Sequence, residues 1–97
     1  MIVSFGDGAT ADLFHGRRTR RARGIPADVV RGAIRKLDVI NAAHALTDLR
    51  APPGNRLEAL RGTLRGWHSI RVNAQWRIVF HWTDAGPTDV ALTDYHE

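Results

Sequence analysis

Trp67-His68-Ser69-Ile70-Arg71-Val72 is followed by Asn73-Ala74-Gln75 and then by Trp76-Arg77-Ile78-Val79-Phe80-His81-Trp82. Both runs alternate with a period of two, the signature of strands with one buried face. The short segment Asn73-Ala74-Gln75 turns the chain, so the runs read as two antiparallel strands joined by a tight turn. In the second strand Trp76, Ile78, Phe80 and Trp82 share one face, the expected core side, and Arg77, Val79 and His81 share the other. Ile70 and Val72 join the core from the first strand, which sends Ser69 and Arg71 outward beside Arg77.

Downstream, Asp84-Ala85-Gly86-Pro87 turns the chain again, and Asp89 to Thr93 alternates with Val90 and Leu92 inward. Upstream, Leu57, Leu60 and Leu64 form a short apolar series leading into the sheet, preceded by the breaker Ala51-Pro52-Pro53-Gly54. Before it lies the clearest helix. Pro26 suits a first helical position and Asp28 complements the dipole of the first turn. Val30, Ala33, Ile34, Leu37 and Ile40 mark one apolar stripe at spacings of three and four. The helix fades around His44 to Leu46, and His44 reads as a packing residue at its end. Thr10 to His15 reads as a brief helix with Leu13 and Phe14 as apolar contacts and Gly16 as its stop. Met1 to Phe5 reads as a short strand. Helices followed by a run of strands predict an α+β fold, a small antiparallel sheet packed against N-terminal helices, in one domain over residues 1–97.

The 97 residues are 43% hydrophobic, which suits a folded chain, and contain no cysteine, which excludes disulfides and thiolate metal sites. No apolar run approaches the ~20 residues that span a bilayer. The N-terminus lacks a basic segment followed by an apolar one, so a cytoplasmic protein is expected. Fourteen Lys+Arg face ten Asp+Glu, for a formal net charge of +4. Thirteen of those bases are arginine, which forks onto phosphates and stacks on bases; a genome rich in G and C produces the same bias. Arg17, Arg18, Arg20, Arg21 and Arg23 form a basic run that is either a solvated loop or a contact to RNA phosphates.

None of His15, His44, His68, His81 and His96 stands in a zincin pattern, and the chain has neither a P-loop nor a nucleophile elbow. No metal or cofactor is expected. What remains is a set of cations, Arg61, Arg65, Arg71 and Arg77, on or beside neighbouring segments of one sheet face, with Tyr95 and His96 beyond the last strand. Such a set either is a solvated face or holds a phosphodiester and stabilises the charge of its pentacoordinate transition state. RNA cleavage by its own 2′-hydroxyl needs no metal; it needs a base, an acid and cations on the phosphate. Histidine serves as acid or base near neutrality, and tyrosine stacks on a splayed base or exchanges a proton.

Leu60-Arg61-Gly62, the run Gly66-Trp67-His68-Ser69-Ile70-Arg71-Val72-Asn73, then Gln75-Trp76-Arg77-Ile78, Phe80, Trp82 and the closing Asp94-Tyr95-His96 resemble the HigB-type toxins of the RelE/ParE superfamily. Met1 to Phe5 and the Gly24-Ile25-Pro26 lead into the long helix agree, so the resemblance spans nearly the whole chain. It implies a RelE-like fold and a bacterial, cytoplasmic toxin that enters the A site of the 70S ribosome and cleaves mRNA, leaving a cyclic phosphate. It also implies a cognate antitoxin, commonly of helix-turn-helix type. By the same resemblance Asp94, Tyr95 and His96 match the catalytic C-terminal segment, Arg77 a strand arginine beside the scissile phosphate, and Arg61 a family lysine. His96 would then protonate the leaving oxygen, Tyr95 orient or deprotonate the nucleophile, and Asp94 position its neighbours. Arg71, Arg65, Arg17, Arg18 and Arg20 would bind nucleic acid. Glu58 stands where some members carry a catalytic histidine, which leaves the identity of the base open. The same fold also supports a ParE-like inhibitor of DNA gyrase and a non-catalytic nucleic-acid-binding module. The outward arginines and the Asp94-Tyr95-His96 terminus favour the nuclease.

Overall fold

The computed structural model describes residues 1–94. Its sheet has four antiparallel strands in sequence order: β1 (Glu58–Ala59), β2 (Trp67–Arg71), β3 (Trp76–Thr83) and β4 (Gly86–Asp94). Helices α1 (Gly8–Phe14), α2 (Arg20–Arg23) and α3 (Ala27–Ala42) precede it, and short 3₁₀ turns at Leu46–Arg50, Pro53–Asn55 and Gly62–Leu64 connect the layers. The α+β expectation holds. No helix among the described residues is long and apolar enough to cross a membrane.

The β2–β3 register follows the alternation: Ser69 opposes Val79, Ile70 opposes Ile78 and Arg71 opposes Arg77. Ile70, Ile78 and Phe80 are fully buried against the helices, while Trp76, Trp82 and Val72 are half-buried and pack on the rim of the same core. From β4, Val90 and Leu92 are buried as expected. The α3 stripe is rotated slightly from the sequence reading, with Val29, Ala33, Leu37 and Ile40 innermost and Val30 and Ile34 half-buried. Pro26 is the residue before the helix rather than its first, and the helix ends at Ala42, where Ala43 turns extended.

Two local expectations change. Met1 to Phe5 runs beside β4 and exchanges backbone hydrogen bonds with it (Val3 N to Pro87 O, 2.8 Å; Gly6 N to Val90 O, 2.9 Å; Val90 N to Ser4 O, 3.1 Å). The pairing is parallel and amounts to a single bridge, Phe5 with Val90, because β4 is irregular there and Asp89 adopts φ 51°. The arginine run is not a solvated loop throughout. Thr19 caps α2, Ala22 enters the core, and Arg21 donates through Nε to Asp12 Oδ2 at 2.5 Å.

Asp12 is 1% exposed and also accepts from Thr19 Oγ1 at 2.6 Å, and Arg17 Nη1 lies 3.8 Å away. The hydrogen bond from Arg21 lowers its carboxyl to about 2, with Thr19 adding to the effect and burial opposing it. This ion pair fastens α2 to α1. The helical layer is tied to the sheet by Leu92 N, which donates to Thr10 Oγ1 at 2.9 Å.

Candidate nucleic-acid interface

The face of the sheet turned away from the helices carries, in register, Glu58 and Ser69 with Val79, then Arg71 and Arg77 with Thr93. At the opposite end of the same face Trp67 opposes His81, their ring centroids 3.9 Å apart. Period-two alternation brings Ser69, Arg71, Arg77, Val79 and His81 together, as the sequence implied.

Arg77 is the fixed point of this face. Its Nε donates to Ser69 Oγ at 2.8 Å and its Nη2 to the Arg56 carbonyl at 2.7 Å, with Glu58 Oε2 3.8 Å from Nη2. Nη1 takes no part in these bonds. The guanidinium is therefore held in one orientation by a side chain, a carbonyl and a carboxylate before any ligand arrives. That corrects the picture of an open face: Ser69 is fully buried and Arg77 only 9% exposed, because the chain from Arg56 to Glu58 folds over them. The Arg56 carbonyl is presented by a left-handed residue (φ 45°) that closes the Pro53–Asn55 turn.

That turn is pinned from behind. Asn55 is fully buried; its Nδ2 donates to Leu49 O at 3.2 Å and Ala51 O at 3.1 Å, and its Oδ1 accepts from Lys36 Nζ on α3. Burial, and secondarily Arg35, lower the Lys36 ammonium below the usual lysine range. In the sequence this stretch shows only as a breaker. The signal that marks it is an amide side chain at the end of a turn, where buried backbone carbonyls need a donor.

The other candidate residues lie at different distances from Arg77. Arg71 is directly opposite it and half-buried, its Nε donating to the Asn73 carbonyl at 3.0 Å, so it caps its own turn. Asp94 ends β4 opposite Trp76 and accepts from the Gln75 amide at 3.1 and 3.2 Å. Arg61 and Arg65 are exposed at the two ends of the 3₁₀ turn between β1 and β2, by the Trp67 end of the face. Tyr95 and His96 lie outside the described residues. Arg17, Arg18 and Arg20 are exposed on the helical layer, whose buried residues Leu13 and Ala22 pack into the core on the far side of the sheet. They do not join Arg77. His68 also faces the helices, stacked on Phe80; its Nδ1 is buried without a hydrogen-bond partner, and the residue lines a cavity of about 210 Å³. Among the described residues no cluster of His, Asp and Glu is placed to hold a metal.

The arrangement of four antiparallel strands and three helices has a counterpart in the YoeB–YefM complex from Staphylococcus aureus. The two structures superpose with a TM-score of 0.60 at 18% identity, covering 100% of this chain and 97% of that one, and the shared fold is RelE-like. In sequence, Toxin HigB-1 of Vibrio cholerae is 50% identical over 76 residues, 78% of this chain and 76% of that protein. An uncharacterized protein of Haemophilus influenzae is 43% identical over 56 residues, 58% of this chain and 55% of that protein. The family described as RelE-like toxin of type II toxin-antitoxin system HigB matches residues 4–96. The chain belongs to this HigB-like toxin family.

Proposed function

We propose that this toxin is an endoribonuclease that cleaves mRNA in the ribosomal A site by attack of the RNA's own 2′-hydroxyl, and that a cognate antitoxin holds it inactive. The observation that carries the reading is Arg77, a guanidinium already oriented by Ser69, Arg56 and Glu58 on the outer face of the sheet. Two of its nitrogens are committed to protein acceptors, which leaves Nη1 to meet a non-bridging phosphate oxygen. A cation fixed before the reaction stabilises the developing dianionic phosphorane without reorganising; one such donor is worth about 10²–10³ in rate.

In this mechanism Arg77 and Arg61 hold the phosphate, and Arg71 and Arg65 extend the contact along the strand. His96 protonates the departing 5′-oxygen and Tyr95 orients or deprotonates the 2′-hydroxyl. Asp94 positions that segment from the end of β4, where Gln75 holds its carboxylate. Glu58, within 3.8 Å of Arg77, is the alternative base. Arg17, Arg18 and Arg20 have no part in this chemistry. The YoeB chain of similar fold was solved in complex with YefM, which supports a partner for this chain also.

The mechanism makes a direct chemical demand. An mRNA carrying a single 2′-deoxy nucleotide at the mapped cut site stays intact at that bond on programmed 70S ribosomes, while the all-ribose mRNA is cut. Equal cutting of both would refute 2′-hydroxyl attack.

A further inference from the structure

All three tryptophans sit on the sheet, but they do not share a role. Trp76 and Trp82 pack on the rim of the core. Trp67 opens β2 on the other face and is not among the residues that build or flank that core. It is half-buried, and its indole lies against the half-buried His81 ring, centroids 3.9 Å apart and planes tilted by 46°. The surroundings of this pair are open and basic. Every residue from Arg61 to Gly66 is exposed, with an arginine at each end of the intervening 3₁₀ turn. Gly66, at φ 94°, brings the end of that turn against His81: a Cβ there would lie 3.6 Å from His81 Cε1. Arg65 is the residue before it. Along β3, His81 stands roughly 13 Å from Arg77 by strand rise, with half-buried Val79 between them. The outer face thus carries a fixed cation at one end and an aromatic pair beside exposed arginines at the other.

A cross-strand pair of rings steadies the end of a hairpin, but that role needs neither exposure nor flanking cations. Binding single-stranded RNA uses both, since unpaired bases stack on aromatic rings while arginines follow the backbone. A duplex keeps its base faces covered and would use the arginines alone. The separation from Arg77 also selects the nucleotide. The ribose under attack lies at Arg77, so a base at Trp67 belongs to a neighbour of the cleaved nucleotide. We infer that Trp67, held by His81, is the stacking platform for an unpaired mRNA base flanking the cleaved bond, an inference that rests on the mRNA-cleavage reading above. Arg65 then meets the phosphate beside that base. Because every base has a π-face, the platform adds affinity at a fixed distance from the cut without choosing which base lies there.

The test is single-turnover cleavage over a range of concentrations of programmed 70S ribosomes. The mRNA is either intact or carries one abasic ribonucleotide at successive positions on each side of the mapped cut. With wild-type protein, one flanking abasic position raises the half-saturating concentration at least about fivefold, the lower end of what stacking on one base contributes. If every flanking position behaves as intact mRNA, the platform is refuted; this arm needs no change in the protein. Trp67→Leu shows a similar loss on intact mRNA, carried by half-saturation rather than by the rate at saturation. It loses nothing further on the abasic mRNA, because the base and the ring are one interaction. Trp67→Phe, which keeps a ring, recovers most of the affinity. Losses from Trp67→Leu and the abasic position that simply add would make Trp67 a structural residue and overturn the inference. A Trp67→Leu loss that no abasic position absorbs would give the ring to ribosomal RNA and overturn it also. Wild-type protein that cuts no mRNA removes the platform and the nuclease reading together, whereas normal cutting without an abasic effect removes the platform alone.

Discussion

Replacing Asn55 by alanine should destabilise the whole domain, because one buried amide links α3, the 3₁₀ turns and the cover over Arg77. Three side-chain hydrogen bonds are lost, two to the carbonyls of Leu49 and Ala51 and one from the Lys36 ammonium. The neutral bonds contribute about 0.5–1.5 kcal/mol each and the charged one about 1.5–3 kcal/mol. Water entering the vacated site recovers part of this, so the expected loss is about 3 kcal/mol against a total stability of about 5–15 kcal/mol. For a domain of this size that lowers the melting temperature by roughly 12–24 °C. Urea unfolding followed by tryptophan fluorescence measures it, and a cycle with Lys36→Met should show coupling of about 1 kcal/mol or more. Activity should fall as well, since the Arg56 carbonyl that orients Arg77 sits on the same turn. A loss below about 1 kcal/mol, or strict additivity with Lys36→Met, would refute Asn55 as the anchor.

Acid should loosen the α1–α2 junction. Asp12 is held near 2 when folded against 3.8 in its ordinary state, so its contribution is complete above 3.8 and is lost as pH falls through about 2. Melting temperature measured from pH 5 downward should decline in that window, and Asp12→Asn should flatten the decline. Leu37→Ala, at a fully buried position on α3, should cost about 2–5 kcal/mol in chemical denaturation through the cavity it leaves. Gly86→Ala should detach the N-terminal segment, because φ is +122° there and a Cβ would lie 2.7 Å from the Met1 carbonyl. Faster amide exchange at Val3, whose N–H bonds to Pro87, would report it. Arg61→Ala should leave stability within about 0.5 kcal/mol of wild type while slowing mRNA cleavage, read by denaturation and by single-turnover assays.

The sheet was legible because period-two alternation from Trp67 to Trp82 is a local pattern that also sets register and faces. Ile70, Ile78 and Phe80 inward and Arg77 outward all follow from it. His68, to which the sequence analysis assigns no face, lies on the helical side, stacked on Phe80. What escaped was whatever depends on partners far along the chain. Ser69 and Arg77 are buried by a segment from Arg56 to Glu58 that sequence shows only as a breaker and a leucine series. The two-residue β1 is too short for any periodicity. Arg21 differs from its neighbouring arginines through its hydrogen bond to Asp12, nine positions away, and nothing in the run itself distinguishes it. Polar anchors such as Asn55 carry no pattern; geometry alone gives them partners.

On the proposed mechanism the face bearing Arg77 cuts RNA on the ribosome. Purified protein is mixed with 70S ribosomes programmed with a defined mRNA, and cut sites are mapped by primer extension beside Arg77→Ala, His96→Ala and naked mRNA. Cuts are expected inside A-site codons and only with ribosomes, at rates reduced about 10²-fold or more in Arg77→Ala and abolished or nearly so in His96→Ala. Intact mRNA with folded wild-type protein, or cutting equally fast in Arg77→Ala, would contradict it.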